Sequence, residues 1–329
     1  GRVLGGISTN LLFSAFESWM TTEHRKKKFP ESWLAKTYSA TSIGNGTMAI
    51  LAGIVAQILE DNLGHIGPFQ GAIALTVLAM VLIMVQWEEN YGEKNGAEDK
   101  EASGSSLYGQ FILGWKTTCS DSKILRIGLT QSLSEGAMYT FVFMWVPTLL
   151  SLDPPGGLPT GCVFSALMMA ITIGGILFPP LQNFLAKNVV QEHNAEEAAS
   201  TIIYIVASIA MAFPAWCISK LSDGSGGSMP CLEICLVSFV LVELCVGLFM
   251  PVAGTLRSKY VPDNLQGAIL NIFRLPLNAI VVLGTRATDV MAPHYVFMLV
   301  STLFLSAGLL QATMISSKVA VSTSSKKKN

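Results

Sequence analysis

An acidic side chain inside a long apolar run is the first residue of this sequence that could do chemistry. Glu135 lies within the apolar stretch 124–150, which is long enough to cross a lipid bilayer. A charge at the centre of a membrane helix costs roughly 2.5 to 3.5 kcal/mol even on the mildest scale. Such a carboxylate normally faces a partner or a water-filled path, so the rest of the chain is expected to supply one.

A basic group occupies a similar position in the later apolar run 266–289. Arg274 has Asn271 three residues before it and Asn278 four residues after it, so the three side chains share one helix face. A guanidinium group offers a planar fork of donors that suits the two oxygens of an oxyanion or a carboxylate. Two roles stay open for Arg274: direct contact with a substrate, or an ion pair with Glu243 or Glu135.

The composition indicates that these groups lie in a polytopic membrane protein. Of 329 residues, 51% are apolar and only 13% are charged, whereas soluble domains carry about 25% charged residues. The net charge of −1 provides no basic field for a nucleic-acid partner. Cys231 and Cys235 are one helical turn apart without a nearby histidine, which favours apolar packing over a metal site. We therefore expect no cofactor and no metal.

Nine segments have the length of a membrane span. They cover residues 3–22, 34–58, 67–87, 124–150, 160–186, 197–219, 229–254, 266–289 and 293–316. Glycine and proline are frequent inside these segments, as is common in transporters. Because the sequence opens without a methionine and directly inside a hydrophobic segment, we expect that part of the protein precedes Gly1.

The charges of the connecting loops predict the orientation and the domain organisation. Fifteen Lys and Arg residues fall on one alternate set of loops and only two on the other, so the basic set is predicted to be cytoplasmic. The long polar segment 88–123 divides the chain, with a short interfacial helix expected from Tyr108 to Lys116. The predicted parts are a first helical region at 1–87, a cytoplasmic loop at 88–123, six helices at 124–316 and a cytoplasmic basic tail at 317–329.

A weak internal repeat predicts the number of membrane helices in each half of the protein. The stretches 25–31 and 257–263 match at four of seven positions with a constant offset of 232 residues. If both stretches join corresponding spans, each half has six spans, because six follow the long loop. Only three spans precede that loop, so this arithmetic predicts three further helices before Gly1.

Two six-helix halves joined by a long cytoplasmic loop resemble the major facilitator superfamily. Short motifs are similar to those of its eukaryotic molybdate-anion transporter family: GRVLGG at 1–6, FSAFESW at 13–19, WEENYG at 87–92, QSLSEGAMYTFVF at 131–143, RSKYVP at 257–262 and NIFRLPLN at 271–278. The resemblance covers essentially the whole chain in order. It implies an all-α polytopic membrane protein with a major-facilitator-type helix bundle, of which nine of twelve transmembrane helices are present.

The resemblance also implies a function, and the polar and charged side chains inside the predicted spans are the candidates for its site. It implies import of molybdate, or a similar small oxyanion, by alternating access around a site near the bilayer midplane, with protons as a further partner. The expected substrate-binding residues are Arg274, Asn278, Asn271, Ser132, Tyr139 and Asn45. The expected proton-coupling or gating residues are Glu135, Glu17, Glu243 and Arg2.

Other readings of the same residues stay open. Each hydroxyl or amide side chain can instead bond one helix to the next, and Glu17 can pair with the basic stretch 25–28. The whole protein can carry another small solute, or can be a nutrient sensor that keeps the fold without flux. An enzyme is not expected, because the four histidines fall in loops or at span ends and no phosphate-binding or nucleophile motif is present. The plasma membrane is the expected location, with an endomembrane as the alternative.

Overall fold

Long helices make up nearly all of the chain that the structure, a computed structural model, describes. The described residues are 16, 19–20, 23–24, 26–88, 107–152, 154, 156–189, 194–225, 227–262 and 265–315. In this part of the chain all regular secondary structure is helical. The helices are α1 (Glu31–Leu63), α2 (Gly67–Gln86), α3 (Leu107–Ser120), α4 (Ser122–Ser151), α5 (Thr160–Asn188), α6 (Ala195–Ser222), α7 (Ser228–Tyr260), α8 (Gln266–Val290) and α9 (Pro293–Ala312).

Six of these helices are long and apolar enough to cross a membrane. The apolar segments are Gly67–Gln86, Thr160–Asn188, Ala195–Ser222, Met229–Arg257, Gly267–Val290 and Pro293–Ala312, which confirms six of the nine predicted spans. The helices α1 and α4 occupy two more predicted positions and have 33 and 30 residues, but they are not among the six. In α4 the polar residues around Glu135 reduce the mean hydropathy. The first predicted span, 3–22, lies almost entirely outside the described residues.

The chain divides into two compact units, residues 1–104 and 105–329. In the first unit α1 packs against α2. The indole of Trp19 stacks on Trp87 with 4.1 Å between ring centroids, and its Nε1 donates to the carbonyl of Glu88 at 3.1 Å. These contacts tie the segment before α1 to the end of α2.

The second unit is a bundle in which each long helix packs against at least two others. Helix α9 packs along α6 and α4, α7 packs between α5 and α6, and α8 packs against α4. Aromatic rings join three of these helices: Phe239 of α7 lies 5.1 Å from Phe141 and 5.6 Å from Phe297, measured between ring centroids. All three rings are buried, so apolar packing at this level holds α4, α7 and α9 together.

Glycines set how closely α4 and α8 approach. A Cβ at Gly136 of α4 would collide with Ile280, and a Cβ at Gly284 of α8 would collide with Thr140. Only a residue without a side chain permits this separation, as at other close helix contacts in membranes. The close contact places the helix that carries Glu135 directly beside the helix that carries Arg274.

Two helices extend beyond their predicted ends. Helix α3 runs from Leu107 to Ser120, past the predicted short interfacial helix at 108–116. Helix α7 continues to Tyr260, although the predicted span ends at residue 254 and the next begins at 266. The predicted end was wrong because hydropathy stops at the membrane boundary, whereas a helix can continue into water. As a consequence Arg257 is a helical residue of the bundle.

Candidate functional site

A small polar pocket lies among α4, α7 and α8. Its volume is about 230 Å³, and its walls are roughly half polar. The lining residues are Gln131, Ser132, Glu135, Met250, Arg257, Leu270, Phe273, Arg274 and Leu277. Three residues predicted from sequence, Ser132, Glu135 and Arg274, therefore meet in one place.

A chain of hydrogen bonds crosses one wall of this pocket. The guanidinium of Arg257 on α7 donates from Nη1 to Oε1 of Gln131 on α4 at 3.0 Å. The Nε2 of Gln131 donates to Oε1 of Glu135 at 2.6 Å. Gln131 and Glu135 are four residues apart on one helix, so they share a face. The amide thus connects a cation on one helix to a carboxylate on another.

Arg274 on α8 lines the same pocket with its donors unused. Among the described residues it forms no hydrogen bond and no ion pair, and the predicted ion pair between Glu135 and Arg274 is not formed. The carboxylate of Glu135 is instead held by the neutral amide of Gln131. Arg274 is therefore an exposed cation at the pocket that leaves its fork of donors available.

Ser132 has a structural contact at the floor of the pocket. Its buried hydroxyl lies 2.9 Å from the carbonyl oxygen of Phe273 and 2.7 Å from that of Gly128. A serine has one proton to donate, so either carbonyl satisfies it. The bond to Phe273 links α4 to α8 three residues before Pro276, in the turn where the proline interrupts the regular bonding.

The remaining predicted site residues lie elsewhere. Tyr139, Asn271 and Asn278 are exposed and do not line the pocket, although both asparagines lie on the helix face of Arg274. Asn45 is exposed on α1 in the first unit. Arg2 and Glu17 lie outside the described residues.

Glu243 is buried in α7 away from any charge partner. Its exposed fraction is 3%, and within the described part of the chain no hydrogen bond or ion pair reaches it. The predicted pairing of Glu243 with Arg274 is therefore not formed. Glu243 precedes Met250 and Arg257 by seven and fourteen residues, so it lies on the same side of α7 as the pocket.

Sequence reasoning missed two pocket residues, Gln131 and Arg257. Arg257 was counted as a loop residue, because the apolar segment of α7 ends there. The sequence does indicate a role for Gln131, because an amide four residues before a carboxylate in a membrane helix lies on the same helix face. Its partnership with Arg257 depends on a contact between residues 126 positions apart, which no local pattern reveals.

A second charged cluster joins the helix ends that are predicted to be cytoplasmic. The carboxylate of Glu197 is fully buried and accepts from Lys259 Nζ at 2.8 Å and from the Tyr260 hydroxyl at 2.6 Å. Lys259 also lies 3.3 Å from Glu196, and the ammonium of Lys123 lies 5.3 Å from the centre of the Tyr260 ring. Burial, the hydrogen bond to Glu197 and the charges of Glu197 and Glu196 raise the pKa of Tyr260. We call these residues the inner cluster.

The pocket contains the groups that recognise an anion. Two guanidinium groups are donors, and one carboxylate lies beside them. In the described ranges no group of three or more His, Cys, Asp or Glu residues is placed to hold a metal ion. The arrangement therefore suits electrostatic binding of a small oxyanion more than metal chemistry.

Comparison with known proteins places the chain among transporters. The family model MFS_5, described as sugar transporters with 12 TM, matches residues 1–241. Curated relatives named molybdate-anion transporter include one from Xenopus laevis, 34% identical over 287 residues that cover 86% of this chain and 58% of the relative. Another, from Danio rerio, is 30% identical over 304 residues that cover 87% of this chain and 60% of the relative. The chain thus spans less than two thirds of these relatives. No solved structure matches it.

Proposed function

We propose that the arginine-lined pocket of this chain, which belongs to the MFS_5 family of transporters with 12 TM, binds molybdate or a similar small oxyanion. We propose further that the protein imports this anion by alternating access, with the plasma membrane as its location. The relatives named molybdate-anion transporter support the choice of anion. The chemistry of the pocket supports it independently.

The observation that carries the proposal is the pair of arginines around a small cavity. Arg274 forms no hydrogen bond or close ion pair among the described residues, and the hydrogen-bond acceptor of Arg257 is a neutral amide. The pocket has two positive charges and one negative charge, so Glu135 alone does not balance its arginines. A bound dianion compensates both guanidinium groups at once with charge-assisted hydrogen bonds, which are roughly twice as strong as neutral ones.

The size of the pocket also favours a small ion. A volume of about 230 Å³ is below the range of about 300–1,000 Å³ that is usual for drug-sized ligands. A sugar is recognised mainly through amides and hydroxyls, for which two arginines are not required. The family description names sugars, so a sugar is the alternative substrate that the uptake assay includes.

Proton coupling through Glu135 belongs to the same proposal. An inward dianion works against an inside-negative membrane potential at about 2.3 kcal/mol per charge per 100 mV. Protons that enter with the anion cancel this electrical cost. Glu135 lines the pocket beside the arginines, so a proton on this carboxylate also relieves its repulsion of the anion.

The test is uptake of radiolabelled molybdate by transport-deficient cells that express the protein. Sulfate, phosphate and a hexose serve as competitors, and membrane levels are measured in parallel. Arg274→Lys keeps the charge but removes the fork of donors, and we expect it to weaken the apparent affinity by about tenfold or more. Arg286→Lys is the matched control on α8, because this exposed side chain lies outside the pocket and is paired with Asp289 at 3.9 Å.

Three results would contradict the proposal. Unchanged affinity in Arg274→Lys would remove the arginine from the binding site. Competition by the hexose without competition by any oxyanion would move the substrate class to sugars. Binding of molybdate without any flux would indicate a sensor that retains the fold.

A further inference from the structure

The amide of Gln131 lies between the two groups that the proposed function needs, a cation for the anion and a carboxylate for the proton. We infer that Gln131 is the positioning residue that couples anion binding to proton uptake by Glu135. The inference rests on the proposed function and adds the residue through which its two parts communicate. It is carried by the hydrogen bonds from Arg257 to Gln131 and from Gln131 to Glu135.

The chemistry of the partners fixes the orientation of this amide. A guanidinium can only donate, so it must meet the amide oxygen, and an ionised carboxylate can only accept, so it must meet the amide nitrogen. The distances of 3.0 Å and 2.6 Å match this orientation. Because the amide is donor and acceptor at the same time, the positive charge of Arg257 polarises it and strengthens the bond to Glu135.

An anion in the pocket breaks the hydrogen bond from Arg257 to Gln131. Arg257 lines the pocket, and a dianion is a stronger acceptor for its N–H groups than a neutral amide. Once Arg257 turns to the anion, Gln131 loses the polarising charge and becomes a weaker donor. The ionised form of Glu135 then loses support while a negative ion lies nearby, so proton uptake follows anion binding.

The two hydrogen bonds of Gln131 form again when the anion leaves. Linkage between two binding sites is reciprocal, so loss of the proton from Glu135 must weaken anion binding by the same factor. Glu135 without its proton again accepts from Gln131, and the amide oxygen again competes for Arg257. Anion and proton are thus released together on the side where the proton is less concentrated.

Few other charged groups face Glu135 from the helices packed against α4. They are Arg257 of α7 and Arg274 of α8, both in the pocket, Glu243 on the pocket side of α7, and the Tyr204 hydroxyl of α6, which is 3.5 Å from Ser134. Helix α9 carries no Asp, Glu, Lys or Arg, and His294 and Tyr295 are the titratable residues of its first turn. Helix α3 contributes only Lys116, which is exposed. Gln131 is the residue that connects Glu135 to a cation by hydrogen bonds.

The experiment measures equilibrium binding of radiolabelled molybdate to the purified protein at acidic and at neutral pH. For the wild type we expect affinity to be about tenfold higher at acidic pH, within the usual range of coupling. Gln131→Leu removes both bonds and should reduce this ratio to about twofold or less. Gln131→Met keeps the side-chain length and should give the same result if the leucine variant folds poorly.

The matched control is Gln182→Leu. Gln182 also donates to a carboxylate, Glu196 at 2.8 Å, but outside the pocket, so the tenfold ratio should persist. In Glu135→Gln the ratio should be lost, and adding Gln131→Leu should change it no further. A merely structural role of Gln131 predicts weaker binding at both pH values with an unchanged ratio.

The outcomes separate the inference from the proposed function. A tenfold ratio that persists in both Gln131 variants overturns the inference while the proposed function stands. Absence of molybdate binding by the wild type overturns both. A ratio lost in the Gln131 variants and kept in Gln182→Leu supports the coupling residue.

Discussion

The pocket and the inner cluster contain the same kinds of charged group in opposite states of pairing. In the inner cluster Glu197 is fully buried and accepts from both Lys259 and Tyr260, and Lys259 also reaches Glu196. In the pocket Arg274 forms no hydrogen bond or close ion pair among the described residues, and Arg257 donates to an amide. The first region is satisfied without a ligand, and the second is not.

One helix contributes to both regions, which makes the difference informative. Arg257 and Lys259 are two residues apart on α7, and side chains at that spacing point to different sides of a helix. Lys259 points to the carboxylates at the start of α6, whereas Arg257 points to the pocket. The satisfied cluster anchors the end of α7 and thereby fixes the position of Arg257. We therefore assign stability to the inner cluster and substrate binding to the pocket.

The largest expected effect is on stability, from Glu197→Ala. The substitution removes the buried acceptor of the Tyr260 hydroxyl and one of the carboxylates that bind Lys259, which keeps Glu196 at 3.3 Å. Loss of hydrogen bonds to a charged group costs about 1.5 to 3 kcal/mol. Thermal denaturation of the purified protein should show this loss, and molybdate affinity of the remaining folded protein should be unchanged. A weaker affinity with normal stability would break the division between the two regions.

A smaller effect of opposite sign is expected from Glu243→Met. Glu243 is buried like Glu197 but lacks hydrogen-bond donors among the described residues. Replacing such a group by an apolar side chain of similar volume removes a desolvation penalty, so stability should rise by about 1 kcal/mol. The same denaturation assay measures it. If uptake disappears while stability rises, Glu243 has a transport role. A charged group without a hydrogen-bond partner among the described residues would then indicate function at Glu243, as it does at Arg274 in the pocket.

The smallest effect is expected from Tyr139→Phe. The side chain of Tyr139 is exposed on α4 one turn after Glu135 and does not line the pocket. Removal of its hydroxyl should change the apparent affinity for molybdate by less than about twofold, because no hydrogen bond to the substrate is lost. The assay is the same tracer uptake. A large loss of affinity would extend the binding site beyond the pocket and along the face of α4.

The sequence predicts the helices and the chemistry of the site better than the partners inside it. Glu135 and Arg274 were identifiable because a charge in an apolar run needs an explanation. Their predicted ion pair is absent, because the local partner Gln131 satisfies the carboxylate first. Arg257 was missed because hydropathy marks the membrane boundary and not the end of a helix. Which face of a helix meets a pocket depends on packing between distant residues, which periodicity alone does not determine.

The glycines between α4 and α8 also show which features of the packing the sequence can predict and which it cannot. Frequent glycine in the predicted spans indicates close helix packing in general. Only the structure shows that Gly136 lies under Ile280 and Gly284 against Thr140, so that the helices of Glu135 and Arg274 are neighbours. Composition predicts that close contacts exist, and the tertiary fold decides between which helices they occur.

The most direct test compares charge-conserving substitutions at the two neighbouring cations of α7. Equilibrium binding of radiolabelled molybdate is measured for Arg257→Lys and Lys259→Arg in purified protein. Arg257→Lys removes one of the two forks that hold the anion, so its affinity should fall by about tenfold. Lys259→Arg keeps a cation beside Glu197 and should bind molybdate as the wild type does. Equal affinities for both variants, or a loss confined to Lys259→Arg, would contradict the assignment of anion binding to the unpaired arginines of the pocket.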